Sequence, residues 1–324
     1  MKNQEFHNLI QQEKEITTTS SNLFQKQYHA IKSKHLVDKK EINTTKTKLF
    51  KETSPLFNQI RDYYHYLLIT NHNNESSMGL EYLTQKRKLT LETIKEFKLG
   101  YAPLSNKPLS FRLSNFLKKK NIDTTKLVEY GFFKEKTNQK GTKYYHDTFH
   151  GSIIIPIEQN RQTFHFYKNH FRETTYFQPK YQSINNFSQT PTFHFSYRFF
   201  EALPYIKKTK TIIIHEGFFD VISCWQHNIK NVVGLICVAQ LLSQTQMDIL
   251  KKEAIKVIIA LDNDETGRKR NTALSEQLKE QQIPYEIRRI LPPYDKTCKD
   301  VDDLIRQYGF QAYQKCFFRS IHLI

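Results

Sequence analysis

The sequence predicts an α/β chain, α+β when taken as a whole: a parallel sheet with flanking helices over residues 208–310, preceded by a basic, mixed α+β subdomain over residues 54–207. Three observations carry this reading. The runs Thr211-Ile212-Ile213-Ile214 and Val257-Ile258-Ile259-Ala260-Leu261 are continuous and branched, as in strands buried on both faces. Helical spacing at Phe218–His227, Ser243–Glu253 and Glu265–Gln282 alternates with these runs and with a short strand at Tyr285–Ile290, which implies right-handed crossovers. Charge divides at the same place. Residues 211–310 hold 13 Lys and Arg against 14 Asp and Glu, whereas residues 1–210 carry +16 of the chain's +17. A basic body joined to an acidic domain suits an enzyme that works on a polyanion.

From the amino terminus, residues 1–53 are polar and rich in Lys, Thr and Gln, with scattered apolar positions such as Leu9, Ile10, Leu23 and Phe24. They read as one or two loosely packed helices or a partly disordered segment. His7, His29 and His35 have no cysteine partners and read as solvated side chains. Pro55 to Leu68 then shows apolar residues at helical spacing after Ser54, an N-cap candidate. From Phe164 to Phe200 there are 13 Phe or Tyr residues, interleaved with Lys168, Arg172, Lys180 and Arg198. Aromatics alternating with cations can stack bases and neutralise the backbone of a single strand. Aromatic strands also form core, so most of these rings are expected inside, with Tyr181 and Tyr167 exposed. Residues 311–324 form a tail.

No apolar run is long enough to span a membrane, and MKNQEFHNLIQQEKE lacks the apolar region of a signal peptide. The expectation is a cytoplasmic chain with no membrane partner. Cys224, Cys237, Cys298 and Cys316 stand singly, which suits reduced thiols and proposes no zinc site.

The chemistry is concentrated in three acidic segments: His215-Glu216-Gly217-Phe218-Phe219-Asp220, Asp262-Asn263-Asp264-Glu265-Thr266-Gly267-Arg268, and Lys299-Asp300-Val301-Asp302-Asp303-Leu304. Each follows an apolar run or a prolyl turn, where a parallel sheet presents the carboxyl ends of its strands. Glu216 and Asp220 lie four apart at a strand-to-helix turn, so one carboxylate can face the site while the other supports it. Asp262 and Asp264, like Asp300 and Asp302, share an i,i+2 spacing that points alternate residues the same way. Such carboxylates would repel one another without a divalent cation, and hard oxygen ligands suit Mg²⁺ or Mn²⁺. Helix N-capping explains any one motif alone; three in register favour metal. Arg268, Lys269 and Arg270 on the first turn of the next helix oppose its dipole, which points to a phosphate nearby.

These motifs, in this order, resemble the Toprim domain, a Rossmann-like parallel sheet found in DnaG-type primases, type IA and II topoisomerases and several nucleases. Upstream, Gly79–Leu83, Leu89–Ile94 and Phe97–Pro103 resemble the opening of the DnaG-type primase catalytic core, a pattern topoisomerases lack. Gly131-Phe132-Phe133, the strand Gly151–Ile157, Pro179-Lys180-Tyr181 and Thr190–His194 continue the likeness. The chain departs from it at His150 and Ser152, where the family has arginines, and at His165–Asn169, where it has a glycine-rich turn ending in Arg. Lys168, Arg172 or Arg198 are the candidates to compensate.

The resemblance covers residues 54–310, without the family's zinc ribbon or helicase-binding domain. It implies a DNA-dependent RNA primase in DNA replication. Metal would be held by Glu216, Asp220, Asp262, Asp264, Asp300 and Asp302, with Glu216, Asp262 and Asp264 as the catalytic set. Lys168, Arg172, Lys180, Tyr181, Arg198 and Arg268 would contact nucleic acid or nucleotide. The implied partners are single-stranded DNA template, ribonucleoside triphosphates and a replicative helicase. A Toprim nuclease and a non-catalytic nucleic-acid-binding accessory protein are the alternative readings.

Overall fold

The computed structural model describes residues 39–70, 74–104, 112–123, 125–171, 180–183, 196–235 and 241–318, with side chains of the first helix described from residue 51. That helix, α1, spans Lys39–Ile69 and carries Pro55 inside it. The start expected after Ser54 is therefore corrected, because Ser54 is buried within the helix. An interior proline costs a helix about 3 kcal/mol. Burial of Phe57, Ile60, Tyr64 and Leu67 against the sheet offsets this, at about 1.5–3 kcal/mol for each large apolar side chain.

Helix α2 (Asn74–Glu81), a π-helical turn (Tyr82–Lys86) and α3 (Leu91–Glu96, capped by Thr90) lead into β1 (Gly100–Ala102). Helices α4 (Leu113–Lys119) and α5 (Thr125–Glu129) precede a hairpin of β2 (Phe133–Thr137) and β3 (Lys143–Asp147). Strands β4 (Ser152–Gln159), β5 (Gln162–Asn169) and β6 (Tyr181–Ser183) then complete an antiparallel sheet ordered β1-β4-β5-β6. Strand β4 is apolar without alternation because both faces are covered. Ile153, Ile155 and Ile157 face the core shared with the acidic domain, while Ile154 faces a second core with Phe57, Phe132, Phe149 and Phe166.

The acidic domain follows α6 (Phe199–Thr209). Its strands β7 (Thr211–His215), β8 (Val232–Gly234), β9 (Lys256–Ile259) and β10 (Tyr285–Ile287) form a parallel sheet ordered β10-β9-β7-β8. Helices α7 (Phe218–Gln226), α8 (Gln244–Lys252) and α9 (Glu265–Glu280) fall where helical spacing was read, and α10 (Val301–Tyr308) and α11 (Phe310–Phe317) close the domain. Strand β8 was not legible because three residues are too few to show a period. No helix among the described residues is long and apolar enough to cross a membrane.

The two halves share one apolar core. Leu83, Ile94, Phe97 and Tyr101 lie in the same buried cluster as Phe218, Phe219 and Trp225. Where α1 crosses β1, a Cβ on Gly100 would lie 2.7 Å from Tyr64 Cβ and 2.9 Å from the Tyr64 carbonyl carbon. Backbone cannot yield as a side-chain tip can, so Gly100→Ala is expected to destabilise the chain by about 2–3 kcal/mol. Urea unfolding checks this, and an unchanged midpoint would show that the crossing has room for a Cβ.

Candidate functional site

Strands β7 and β9 are hydrogen-bonded neighbours, so Glu216 and Asp262 leave adjacent strand ends, as the spacing of the motifs predicts. His215, just before Glu216, is buried and fixed, with Nδ1 2.7 Å from the Ala260 carbonyl and Nε2 3.2 Å from the Tyr313 hydroxyl. The third segment arrives through the Asn263 N–H, which donates to the Lys299 carbonyl at 3.2 Å. Gly267 permits the turn into α9, since a Cβ there would sit 2.1 Å from the Asp262 carbonyl oxygen.

The carboxylates of the three segments feel one another. Burial, then the charges of Glu216 and Asp300, push the Asp262 carboxyl up to about 8. Asp220 is fully buried and raised well above the usual carboxylate range, by burial first and then by Asp300 and Asp262. Asp300 is raised chiefly by burial. At Asp264 burial raises the pKa, but the Lys299 ammonium at 2.8 Å and the Gly267 N–H outweigh it and hold the group low. Capping and clustering therefore coexist: Asp264 caps α9 and Asp300 caps α10 while both contribute to the acidic edge.

Their free oxygens differ. Glu216 Oε1 pairs with Arg270 at 2.8 Å, whereas Oε2 is buried with no partner among the described residues. Asp220 accepts the Gly217 N–H at 2.8 Å and the Asp302 N–H at 2.9 Å. One oxygen each of Asp300, Asp302 and Asp303 lie within 4.8 Å of one another. Asp302, however, is buried among partners: Oδ2 takes Arg87 and Arg306, and Oδ1 takes the Ser223 hydroxyl at 2.7 Å. Both Asp302 oxygens are thus already engaged, which sets it apart from the freer carboxylates expected as ligands beside it.

The basic residues sort as sharply. Lys180 is exposed and close enough to Asp300 to lower its pKa, with its carbonyl accepting the His170 N–H at 3.1 Å. Tyr181 and Tyr167 are only partly exposed and their rings lie 5.2 and 5.0 Å from that of Phe218, so neither is the open stacking platform expected. Arg198 is buried between Phe97 and Trp225, 4.4 and 4.5 Å from their rings, which makes it a core residue rather than a nucleic-acid contact. Arg172 lies outside the described residues. Arg270 is buried under Glu216 and Lys269 pairs with Glu265 at 2.8 Å, so their place against the helix dipole is explained by carboxylates rather than by a phosphate. Arg268 remains exposed and, with Asp262, Asn271 and Arg289, lines a cavity of about 230 Å³.

Residues His165–Asn169 form part of β5 rather than a turn, and Lys168 is buried with Nζ donating to the Thr148 carbonyl at 2.8 Å. It lines a second cavity of about 200 Å³ with Lys134, Lys136, His146, Thr148, His150 and Gln182. The Thr148 hydroxyl is buried there without a partner. Burial, and then His150 and the lysines, push His146 down to about 4, so at neutral pH the lysines carry this cavity's charge. Sequence reasoning missed Lys134 and Lys136. Their i,i+2 spacing in Lys134-Glu135-Lys136, which puts both on one face of a strand, was the available signal.

Two family profiles match the chain. The one described as DNA primase catalytic core, N-terminal domain, matches residues 63–203, and the Toprim-like one matches residues 213–305. The DNA primase of Halalkalibacterium halodurans is 28% identical over 256 residues, spanning 78% of this chain and 39% of that protein. The DNA primase of a Synechocystis species is 32% identical over 209 residues, spanning 63% of this chain and 31% of that one. The chain thus spans about two fifths or less of the length of these relatives. Among solved structures, the DnaG primase catalytic domain bound to single-stranded DNA shares the fold, with a TM-score of 0.60 at 21% identity over 84% of this chain and 81% of that one.

The raised carboxyls carry a pH consequence. Asp262 titrates near 3.8 when unperturbed and near 8 when folded, so between those values the folded chain holds a proton that the unfolded chain has released. Stability of the metal-free chain is therefore expected to fall as pH rises from about 5 to about 8. Chemical denaturation across that range checks the slope, which should be shallower for Asp262→Asn. A variant with the parent's slope would show that these groups do not share one field.

Proposed function

Because the chain belongs to the DnaG-type primase catalytic cores, we propose that it is a DNA-dependent RNA primase, joining ribonucleotides on single-stranded DNA by metal-dependent nucleotidyl transfer. One observation carries the reading: Glu216 and Asp262 leave adjacent strand ends, the charges of Glu216, Asp300 and Asp264 all bear on Asp262, and the exposed Lys180 of the basic subdomain bears on Asp300. The donor set fits Mg²⁺ or Mn²⁺, because Glu216 Oε2 is buried without a partner among the described residues and burial, with the charges of Glu216 and Asp300, raises the Asp262 carboxyl, a field that a divalent cation would relieve. Those four carboxylates would hold the ion, with Asp220 beneath them. When bound, the ion supplies Lewis acidity toward the triphosphate and the primer hydroxyl.

The protein's own side chains do the rest. Lys180, whose charge reaches Asp300, and Arg268, which lines a cavity with Asp262, would neutralise phosphates of the incoming nucleotide. Lys134, Lys136 and Lys168 offer a positive cavity for template phosphates. Asp220 orients Gly217 and Asp302 through their backbone N–H groups, keeping the first and third segments in register. Ribonucleoside triphosphates are the proposed substrates, the cytoplasm the proposed compartment and a replicative helicase the proposed partner. The match over residues 63–203 favours this reading over a Toprim nuclease.

The test is incubation with single-stranded DNA, labelled ribonucleotides and Mg²⁺ or Mn²⁺. Short RNA products are expected; a shortened template would indicate a nuclease, and binding alone an accessory protein. Asp262→Ala or Asp264→Ala should lower synthesis by about 100-fold or more, the several kcal/mol a metal contributes, while leaving DNA affinity within about twofold. Equal loss of both would count against the division of roles. Separately, Lys134→Ala and Lys136→Ala should each reduce the salt slope of single-strand binding by about 0.7. An unaltered slope in fluorescence anisotropy would place the template elsewhere.

A further inference from the structure

We infer that Arg87 of the basic subdomain is a positioning residue that sets the geometry of the metal site through Asp302, an inference that rests on the metal-dependent reading above. Arg87 follows the π-helical turn, and its guanidinium is nearly buried at the junction of the two halves. Its Nε donates to the Tyr82 hydroxyl at 2.8 Å, its Cζ lies 4.2 Å from the centre of the Phe219 ring, and Nη1 reaches Asp302 Oδ2. These contacts fix the fork before it meets the carboxylate.

From Asp302 the constraint runs into the site by two routes. The Asp302 N–H donates to Asp220 at 2.9 Å, and the other Asp220 oxygen accepts the Gly217 N–H at 2.8 Å, beside Glu216. Asp302 also begins α10 two residues beyond Asp300, so holding it fixes the direction in which the Asp300 carboxylate leaves the helix start. Neighbouring contacts keep the two halves in one register: Lys88 Nζ donates to the Arg306 carbonyl at 2.6 Å, and Gln226 bonds the Lys88 carbonyl at 3.0 Å and the Thr90 N–H at 2.8 Å. Arg306, on α10 itself, supplies the second cation on Asp302. Asp302 therefore joins the halves of the chain, and among the described residues Arg87 is the cation that pairs with it from the basic side.

Charge and position make opposite predictions. If Arg87 acted only as a nearby cation, removing it would make the acidic edge more negative and Mn²⁺ would bind more tightly. If it positions the site, Mn²⁺ binds more weakly although a positive charge has been lost. The full chain, Arg87→Met and Arg87→Lys are to be titrated with Mn²⁺ alone, following free Mn²⁺ by paramagnetic resonance, and assayed for primer synthesis over a Mn²⁺ range. Arg87→Met is expected to bind Mn²⁺ about tenfold more weakly, in line with losses of residues that orient metal ligands, and to need correspondingly more Mn²⁺ for half-maximal synthesis. The rate at saturating Mn²⁺ should recover to within about threefold, since geometry is restored once the ion is bound. Arg87→Lys keeps the charge but not the fork and should fall between.

Unchanged or tighter Mn²⁺ binding by a folded Arg87→Met would overturn the inference. Should Arg87→Met lack a cooperative unfolding transition, Arg87→Lys decides: parental affinity overturns the inference, and weaker affinity supports it. A parent chain that binds no Mn²⁺ would remove the metal reading itself, whereas a binding parent with unaffected Arg87 variants removes only the role of Arg87.

Discussion

Negative charge gathered at the ends of β7 and β9 is the constraint to which the rest of the molecule answers. Glu216, Asp262 and Asp300 raise one another's energy whenever they are ionised, and burial sharpens the repulsion by removing water. The fold meets this with internal cations rather than by spreading the acids apart. Arg270 lies beneath Glu216, Lys299 bridges toward Asp262 and Asp264, and Arg87 with Arg306 holds Asp302. Glu216 Oε2 is left buried without a partner among the described residues, the face on which the proposed cation would act.

Placing such an edge requires a rigid support, and the support is shared between the two halves. The isoleucines of β4 alternate between two cores, so the antiparallel sheet is anchored from both sides. One of those cores continues into the acidic domain through Phe218, Phe219 and Trp225. A common apolar core resists relative movement of the halves because sliding would expose packed area or open voids. Strand β5, which carries Lys168 of the basic cavity, belongs to the sheet that this core anchors.

The departures from the family's arginine pattern acquire a physical reading here. His150, with Thr148, lines a cavity whose positive charge comes from Lys168 on β5 and from Lys134 and Lys136 on β2 of the neighbouring hairpin, so the charge is supplied by two strands. Ammonium groups bind phosphate as point charges and lack the planar fork of arginine, which relaxes the geometry demanded of the ligand.

Strands β7 and β9, helices α7 to α9 and the three acidic segments were legible because each leaves a local trace: an apolar run, a 3.6-residue period, or a carboxylate at a strand end. Their convergence followed from the handedness of parallel crossovers. Which carboxylates stay free, and which cations are already engaged, was decided only by the tertiary structure. Arg87 meets a partner 215 residues away, Arg198 is enclosed by Phe97 and Trp225, and Arg270 lies under Glu216. Ion pairing has no period and no local composition, so a charge that serves the core and a charge that serves a ligand read alike until the chain is folded.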